Sequence, residues 1–418
     1  MEHVQYRENQ LWIEECSFEA LANQFGTPLY VYSQKTLEGN YRRFEQALQK
    51  TQHPFQLCYA VKANSNLAIL HLFAGLGAGF DIVSIGELER VIVAGGDTKK
   101  VVFSGVGKRP DEIERALGVS IGCFNVESAS ELNLINQIAG KKKQRARISL
   151  RINPNIDAKT HPYISTGLKE NKFGIHSEEA IALYLSAKQM TNIEVVGIDC
   201  HIGSQLTELE PFKEAVSHLL TLIDILAKKG ITLTHLDLGG GLGVPYKDKE
   251  VVPSVIEYIQ TITQPLRGRS IQLFLEPGRA LTANAGFLLT RLLNLKHGLE
   301  KNFAIVDAAM NDLMRPALYE AWQDIIPVRQ RDTASTKQQQ YDIVGPVCET
   351  GDYLAKDRDF MIEEGDLLTI CGAGAYGFSM SSNYNSRPRP AEVMVNGNQT
   401  TLIRRRETIT DLFAHELI

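Results

Sequence analysis

The sequence lacks any C-x-x-C pair. Its six cysteines, Cys16, Cys58, Cys123, Cys200, Cys348 and Cys371, stand singly. That argues against a cysteine-type zinc site and a disulfide-stapled secreted domain, and it points to free thiols in a reducing cytoplasm. No apolar run approaches the ~20 residues that span a bilayer. The opening residues, Met1-Glu2-His3-Val4-Gln5-Tyr6, lack the basic stretch and apolar core of a signal peptide. An excess of charge of one sign is also missing: Lys+Arg 44 minus Asp+Glu 49 leaves −5. That balance offers no global field for nucleic acid or an anionic membrane. H-E-x-x-H and H-x-x-x-H do not occur, so no metal is expected.

What is present is an ordinary globular composition, 44% hydrophobic and 22% charged over 418 residues, with 33 Gly and 15 Pro. Roughly 150 residues per domain would give two or three domains in sequence order. The middle of the chain alternates strand-like and helical patterns. The strand candidates are Gln56–Val61, Phe80–Ser84, Val101–Gly105, Gly122–Val126, Ala146–Ile152, Val195–Cys200, His235–Leu238 and Ile271–Leu275. The helical patterns between them are Asn66–Gly77, Ile85–Gly95, Pro110–Leu117, Ser128–Ala139, Ser177–Met190, Glu208–Lys229 and a stretch near Pro253–Leu266, with Lys35–Ala47 before the first strand. Ser128-Ala129-Ser130-Glu131 has the form of a capping box. Pro110 suits a first helical turn, and Gly230 suits a helix stop.

Strand–helix alternation implies a parallel sheet with right-handed crossovers, and this many units in about 250 residues fit a closed barrel. The expected fold is therefore α/β: a (β/α)8 TIM-like barrel over residues 26–281, followed by a C-terminal antiparallel β domain. The β-rich texture rests on Leu288–Leu295, Ala304–Asp307, Tyr341–Val344, Leu367–Cys371 and Ala391–Val395. Arg329–Gln340 reads as a surface loop, and the basic runs Lys141–Arg147 and Arg404–Arg406 read as solvated strand edges.

A barrel gathers its chemistry at the C-terminal ends of its strands. Lys62, His201, the run Gly239–Gly243 and Glu276-Pro277-Gly278-Arg279 all fall at such ends. Taken alone, each has two readings. Lys62 is an ordinary strand-end lysine, or a partly desolvated amine suited to Schiff-base chemistry. His201 is a packed histidine, or one that stacks on a planar ligand. The glycine run is a flexible turn, or backbone opened toward a phosphate. Gly372–Gly377 matches G-x-G-x-x-G literally, but the following Phe378–Asn383 and Arg387-Pro388-Arg389-Pro390 cannot open the long helix of a dinucleotide site. Cys348, beside Glu349 and near Asp352, is a small buried hydrophobe, or a protonated thiol suited to giving a proton.

Together these segments resemble the diaminopimelate decarboxylases, of the alanine-racemase-like fold class of pyridoxal-phosphate enzymes. The resemblance runs through Tyr59–Asn64, Phe80–Leu88, Asn171–Gly174, His201–Gln205, Gly239–Gly243, Glu276–Arg279, Arg315–Tyr319, Gly345–Asp352 and Gly372–Gly377. It implies pyridoxal 5'-phosphate in Schiff-base linkage to Lys62, with His201 facing the ring on the side away from the substrate. It implies that Ser204, Gly240, Gly241 and the turn Glu276-Pro277-Gly278-Arg279 hold the phosphate, with Tyr376 adding a contact. It implies that Glu276 pairs with the pyridine nitrogen. For the substrate it implies Arg279, Arg315 and Tyr319 at the distal carboxylate, Glu349 at the distal ammonium, and Cys348 as proton donor. Cys348 and Glu349 would be supplied across the interface of a homodimer with shared active sites. Residues 1–25 plus 282–418 would form the single β-rich domain contributing substrate and dimer-interface residues.

The implied reaction is decarboxylation of meso-2,6-diaminopimelate to L-lysine and CO2, in the cytoplasm. A glutamate at the ring nitrogen keeps that nitrogen protonated and the ring a strong electron sink, which favours decarboxylation over racemisation. Ornithine ends in an ammonium alone, whereas diaminopimelate ends in an ammonium and a carboxylate. Two arginines beside a glutamate fit the second pattern. The alternatives are a related basic amino acid or carboxypolyamine decarboxylase, a non-catalytic protein of the same fold, and a metal-dependent barrel hydrolase.

Overall fold

The computed structural model describes residues 3–157, 164, 166–167, 170–331 and 338–418. Much of the loop Ala158–Lys172 and half of Arg329–Gln340 lie outside the described residues. The chain divides into two compact units. One is Asn40–Val244 with Val251–Ala280; the other is Met1–Gly39, Pro245–Glu250 and Leu281–Ile418.

The first unit is the barrel. Its parallel strands are Phe55–Ala60, Gly79–Ile82, Val101–Phe103, Cys123–Val126, Ala146–Asn153, Ile193–Asp199, His235–Asp237 and Gln272–Leu275. The ring closes where Leu273–Leu275 pairs in parallel with Phe55–Leu57. Each of the first seven strands is followed by a helix that the sequence pattern anticipates within a few residues, from Leu67–Gly75 to Val255–Thr263. The caps explain the starts. Side-chain oxygens of Asn66, Ser84, Ser128 and Ser254 each accept a first-turn backbone N–H. The box expected at Ser128 forms only by half, because the Glu131 carboxylate is drawn to Lys108 Nζ at 2.8 Å. Among the described residues no helix is long and apolar enough to cross a membrane.

The second unit is β-rich. A three-stranded antiparallel sheet is built from Val4–Arg7, Gln10–Ile13 and Cys16–Ser17. A larger sheet is organised around Gly286–His297, which pairs antiparallel with Asn302–Val306, Leu367–Ile370 and Leu29–Ser33. Leu11, Ile13 and Phe18 are buried in one core with Val31, Phe287, Leu289 and Val393. The Phe18 and Phe287 rings meet edge-on at 5.6 Å.

Four features differ from the sequence expectation. Leu29–Ser33, placed within the expected barrel range of 26–281, pairs instead with Gly286–Leu289 and Ala391–Val395. All five of its residues are buried, as a central strand requires. The sheet is also not purely antiparallel: Ala391–Asn396 lies parallel to Leu29–Ser33, and Gln339–Val344 parallel to Asn302–Val306. The helices Phe18–Phe25 and Arg315–Tyr319 interrupt stretches that carried no helix expectation. Finally, the basic runs are not wholly solvated. Arg404 pairs with the buried Glu392, Arg406 Nη2 donates to Pro28 O at 2.7 Å, and Arg145 Nη2 donates to Ile193 O at 2.8 Å.

Candidate active site

The C-terminal ends of the barrel strands converge on a cluster of buried charges. Lys62 sits in a short 3-10 turn, Val61–Ala63, directly after the first strand. Its side chain is 36% exposed, and its ammonium is ion-paired with the fully buried Asp81 of the second strand. His201 follows the sixth strand. Its Nδ1 lies 3.0 Å from Asp199 Oδ1, and its Nε2 lies 2.5 Å from Glu276 Oε2. That second contact is close but not aligned as a hydrogen bond, so neither oxygen of Glu276 accepts one. Arg151 Nη1 donates to Glu127 Oε1 at 2.8 Å, and its Nε lies 4.0 Å from Asp199 Oδ2. Glu127 also accepts the backbone N–H of Gly105 and of Gly174.

The electrostatics follow from burial. Burial alone pushes Asp199 up, but His201 and Arg151 outweigh it and hold that carboxyl below the usual range. Burial, then Asp81 and Asp199, push Glu276 well above the usual range. Burial, then Glu276 and Asp199, do the same to Asp237. The site therefore has a carboxyl at its centre that gains from any cation placed against it.

The glycine run supplies a second feature. A Cβ on Gly240 would lie 2.5 Å from the Glu276 carbonyl oxygen, and Gly241 has φ +105, so neither position suits a side chain. Among the described residues the N–H groups of Gly240 and Gly241 have no acceptor. Arg279 Nε and Nη2 reach Ser204 Oγ at 3.2 and 3.0 Å. Gly278 packs on Ala60 and Ala63, beside Lys62, where a Cβ would come within 3.0 Å. Pro277 O accepts the Ala60 N–H at 3.3 Å, which ties the last strand end to the first.

The other predicted residues belong to the β-rich unit. Arg315 is buried at the start of the helix Arg315–Tyr319, its guanidinium 4.3 Å from the Tyr246 ring centre. Tyr319 is half-buried at the other end of that helix. Cys348 and Glu349 are exposed, which removes the reading of Cys348 as a small buried hydrophobe. Their turn is held by Asp352, whose carboxylate accepts the Val347 and Met310 N–H groups at 2.8 and 2.7 Å. Cys348 N–H donates to Asn385 Oδ1 at 2.8 Å. Tyr376 has φ +56 in a glycine-rich turn that leads only to the short 3-10 helix Phe378–Met380, not to a dinucleotide-binding helix. Gly374 serves packing there, since its Cβ would strike Thr282 O at 1.9 Å.

Asp81 and Glu127 were visible at strand ends but had no role in the sequence reading. Asp199, Asp237 and Arg151 were missed. The signal was available: each is a charged residue inside an otherwise apolar strand, in Gly197-Ile198-Asp199, Leu236-Asp237-Leu238 and Leu150-Arg151-Ile152.

These groups match pyridoxal 5'-phosphate part by part. Lys62 offers an amine for the aldehyde, the buried unsatisfied Glu276 carboxyl suits a protonated ring nitrogen, and the Gly240–Gly241 backbone suits a phosphate. Asp81, His201 and Glu276 also bring ligand atoms within 4.8 Å of one another, as a metal site would. The ammonium of Lys62 at Asp81 sets a cation among those atoms, which favours the cofactor over a metal.

Barrel and site define a class, the pyridoxal-dependent decarboxylases. The family model described as "Pyridoxal-dependent decarboxylase, pyridoxal binding domain" matches residues 34–283. A diaminopimelate decarboxylase of Vibrio cholerae is 57% identical over 420 residues, covering 100% of this chain and 99% of the relative. The solved diaminopimelate decarboxylase of Helicobacter pylori, complexed with L-lysine, superposes with a TM-score of 0.91 at 44% identity, covering 96% of this chain and 99% of that one. That of M. jannaschii, also in complex with L-lysine, gives 0.95 at 40% identity over 100% of this chain and 98% of that one. The chain belongs to the diaminopimelate decarboxylase family.

Proposed function

We propose that this chain removes CO2 from meso-2,6-diaminopimelate to form L-lysine, the last step of lysine biosynthesis. The observation that carries this is the strand-end cluster of Lys62, Asp81, His201 and Glu276 beside the Gly240–Gly241 turn, in a chain of this family. Pyridoxal 5'-phosphate, when bound, supplies an aldehyde for the substrate amine and a protonated ring that accepts the electrons left at Cα.

The chain's own residues do the rest. Lys62 Nζ would hold the cofactor through its amine. Asp81 holds that nitrogen in place. Glu276 keeps a proton on the ring nitrogen, and its burial makes that pairing strong. His201, oriented by Asp199, would pack against the ring. Gly240 and Gly241 donate their N–H groups to the phosphate, joined by Ser204, Tyr376 and the turn Glu276-Pro277-Gly278-Arg279. Arg279, Arg315 and Tyr319 bind the distal carboxylate, and Glu349 binds the distal ammonium. Cys348 Sγ–H returns a proton to Cα. An analogue without the distal carboxylate forgoes its contacts with Arg279 and Arg315, which costs several kcal/mol.

Cys348 and Glu349 lie exposed on one surface turn. Their assignment to the reaction therefore goes with a homodimer in which each turn completes the partner's site. The barrel unit binds the cofactor, and the β-rich unit supplies substrate and dimer-interface residues. The scattered free cysteines fit a cytoplasmic setting. The test is lysine formation by purified protein with pyridoxal phosphate and each diaminopimelate stereoisomer. Lysine from the meso form is expected. Turnover of ornithine or arginine in its place would overturn the substrate assignment.

A further inference from the structure

The barrel interior buries the carboxyls of Asp81, Asp199, Asp237 and Glu276. Each of the others faces a cation or a histidine: Asp81 has Lys62, Asp199 has His201 and Arg151, and Glu276 has His201. Among the described residues Asp237 alone of them has no Lys, Arg or His nitrogen within 4.0 Å. An unpaired buried carboxylate is costly, and the neutral acid is the cheaper form. Asp237 Oδ1 accepts the Gly239 N–H at 2.8 Å, and the carbonyl of that same glycine accepts the Glu276 N–H at 2.6 Å. Oδ2 has no hydrogen-bond partner and is the atom left to carry a proton.

We propose that Asp237 is a positioning residue that stays a neutral carboxylic acid, donating its hydroxyl to the Glu276 carboxylate while its other oxygen holds the Gly239 N–H. It thereby ties the carboxylate that pairs with the ring nitrogen to the glycine turn that holds the phosphate. The groups facing it agree. Glu276 and Asp199 both favour its neutral form, and His201 opposes them, as does the Gly239 N–H. From the other packed elements come the Cys58, Cys123 and Cys200 thiols and the Tyr258 hydroxyl, none of them a cation. The inference rests on the cofactor reading only for what Glu276 faces.

The test compares wild type, Asp237→Asn and Asp237→Ala as holoenzymes. Infrared spectra near pH 8 should show the carbonyl stretch of one buried protonated carboxyl in wild type, and Asp237→Asn should lose it. Asp237→Ala should weaken cofactor binding about tenfold or more, the size of a lost hydrogen bond to a charged group. Asn keeps one acceptor and one donor and should restore most of that affinity. An infrared spectrum unchanged by Asp237→Asn, or an Asn variant as weak as the Ala variant, would overturn the proposal. If the protein took up no cofactor at all, the cofactor reading would fail, while an infrared band of the unloaded protein that is lost in Asp237→Asn and kept in Glu276→Gln would still assign the proton to Asp237.

Discussion

The barrel mouth and the Gly345–Asp352 turn carry chemistry in opposite ways. In the barrel, Lys62, His201 and Arg151 meet buried acidic partners. In the turn, Cys348 and Glu349 are exposed, and only the backbone around them is held, by Asp352 and Asn385. A group on a rigid strand end is oriented before the substrate arrives. A group on an exposed turn needs something to exclude water from it. Under the proposed function, the difference gives the electron-handling part of the reaction to the barrel and the proton return to the exposed turn.

Three experiments probe that contrast. The largest effect is expected in the barrel: Lys62→Ala should lower kcat by about 10³-fold or more and abolish the visible absorption of bound cofactor. A variant that kept the absorption band would remove Lys62 from the site. The next probes the turn. Chains carrying Cys348→Ala should lose roughly 10²-fold in activity. If each turn completes a partner's site, as proposed, mixing them with Lys62→Ala chains should restore part of it. No recovery after confirmed subunit exchange would separate the turn from the partner's chemistry.

The smallest effect is on stability, at a carboxyl in the segment that the turn packs against. Burial pushes the Asp312 carboxyl up to about 7. An unfolded aspartate titrates near 3.9, so the folded chain holds an extra proton between about pH 4 and about pH 7. The stability this group contributes is complete below about pH 4 and is lost as the pH rises through about 7. Asp312→Asn cannot ionise, so its Tm should gain on wild type between pH 5 and pH 8. An equal Tm difference at both pH values would refute the shift.

Much of the architecture is legible in the sequence because barrel strands and helices carry local signals. Alternating patterns, the capping residue Ser128 and Pro110 mark the elements to within a few residues. Lys62, His201 and Glu276 were legible as well, since chemistry gathers at strand ends in this fold. Leu29–Ser33 was not. An apolar run of that length is consistent with several sheets, and its partners Leu289 and Val393 lie hundreds of residues away. Likewise the Arg404–Glu392 pair could not be anticipated from a basic run.

By itself the sequence determined the order of elements, the closed barrel, the family and the set of polar residues at the strand ends, because local periodicity and motif chemistry are written residue by residue. Only the tertiary structure decided which charges pair. Asp81 takes Lys62, Asp199 takes His201 and Arg151, and Asp237 takes none. Pairing depends on distances across neighbouring strands in a low-dielectric interior, and there a few ångströms decide whether a carboxyl carries a charge or a proton.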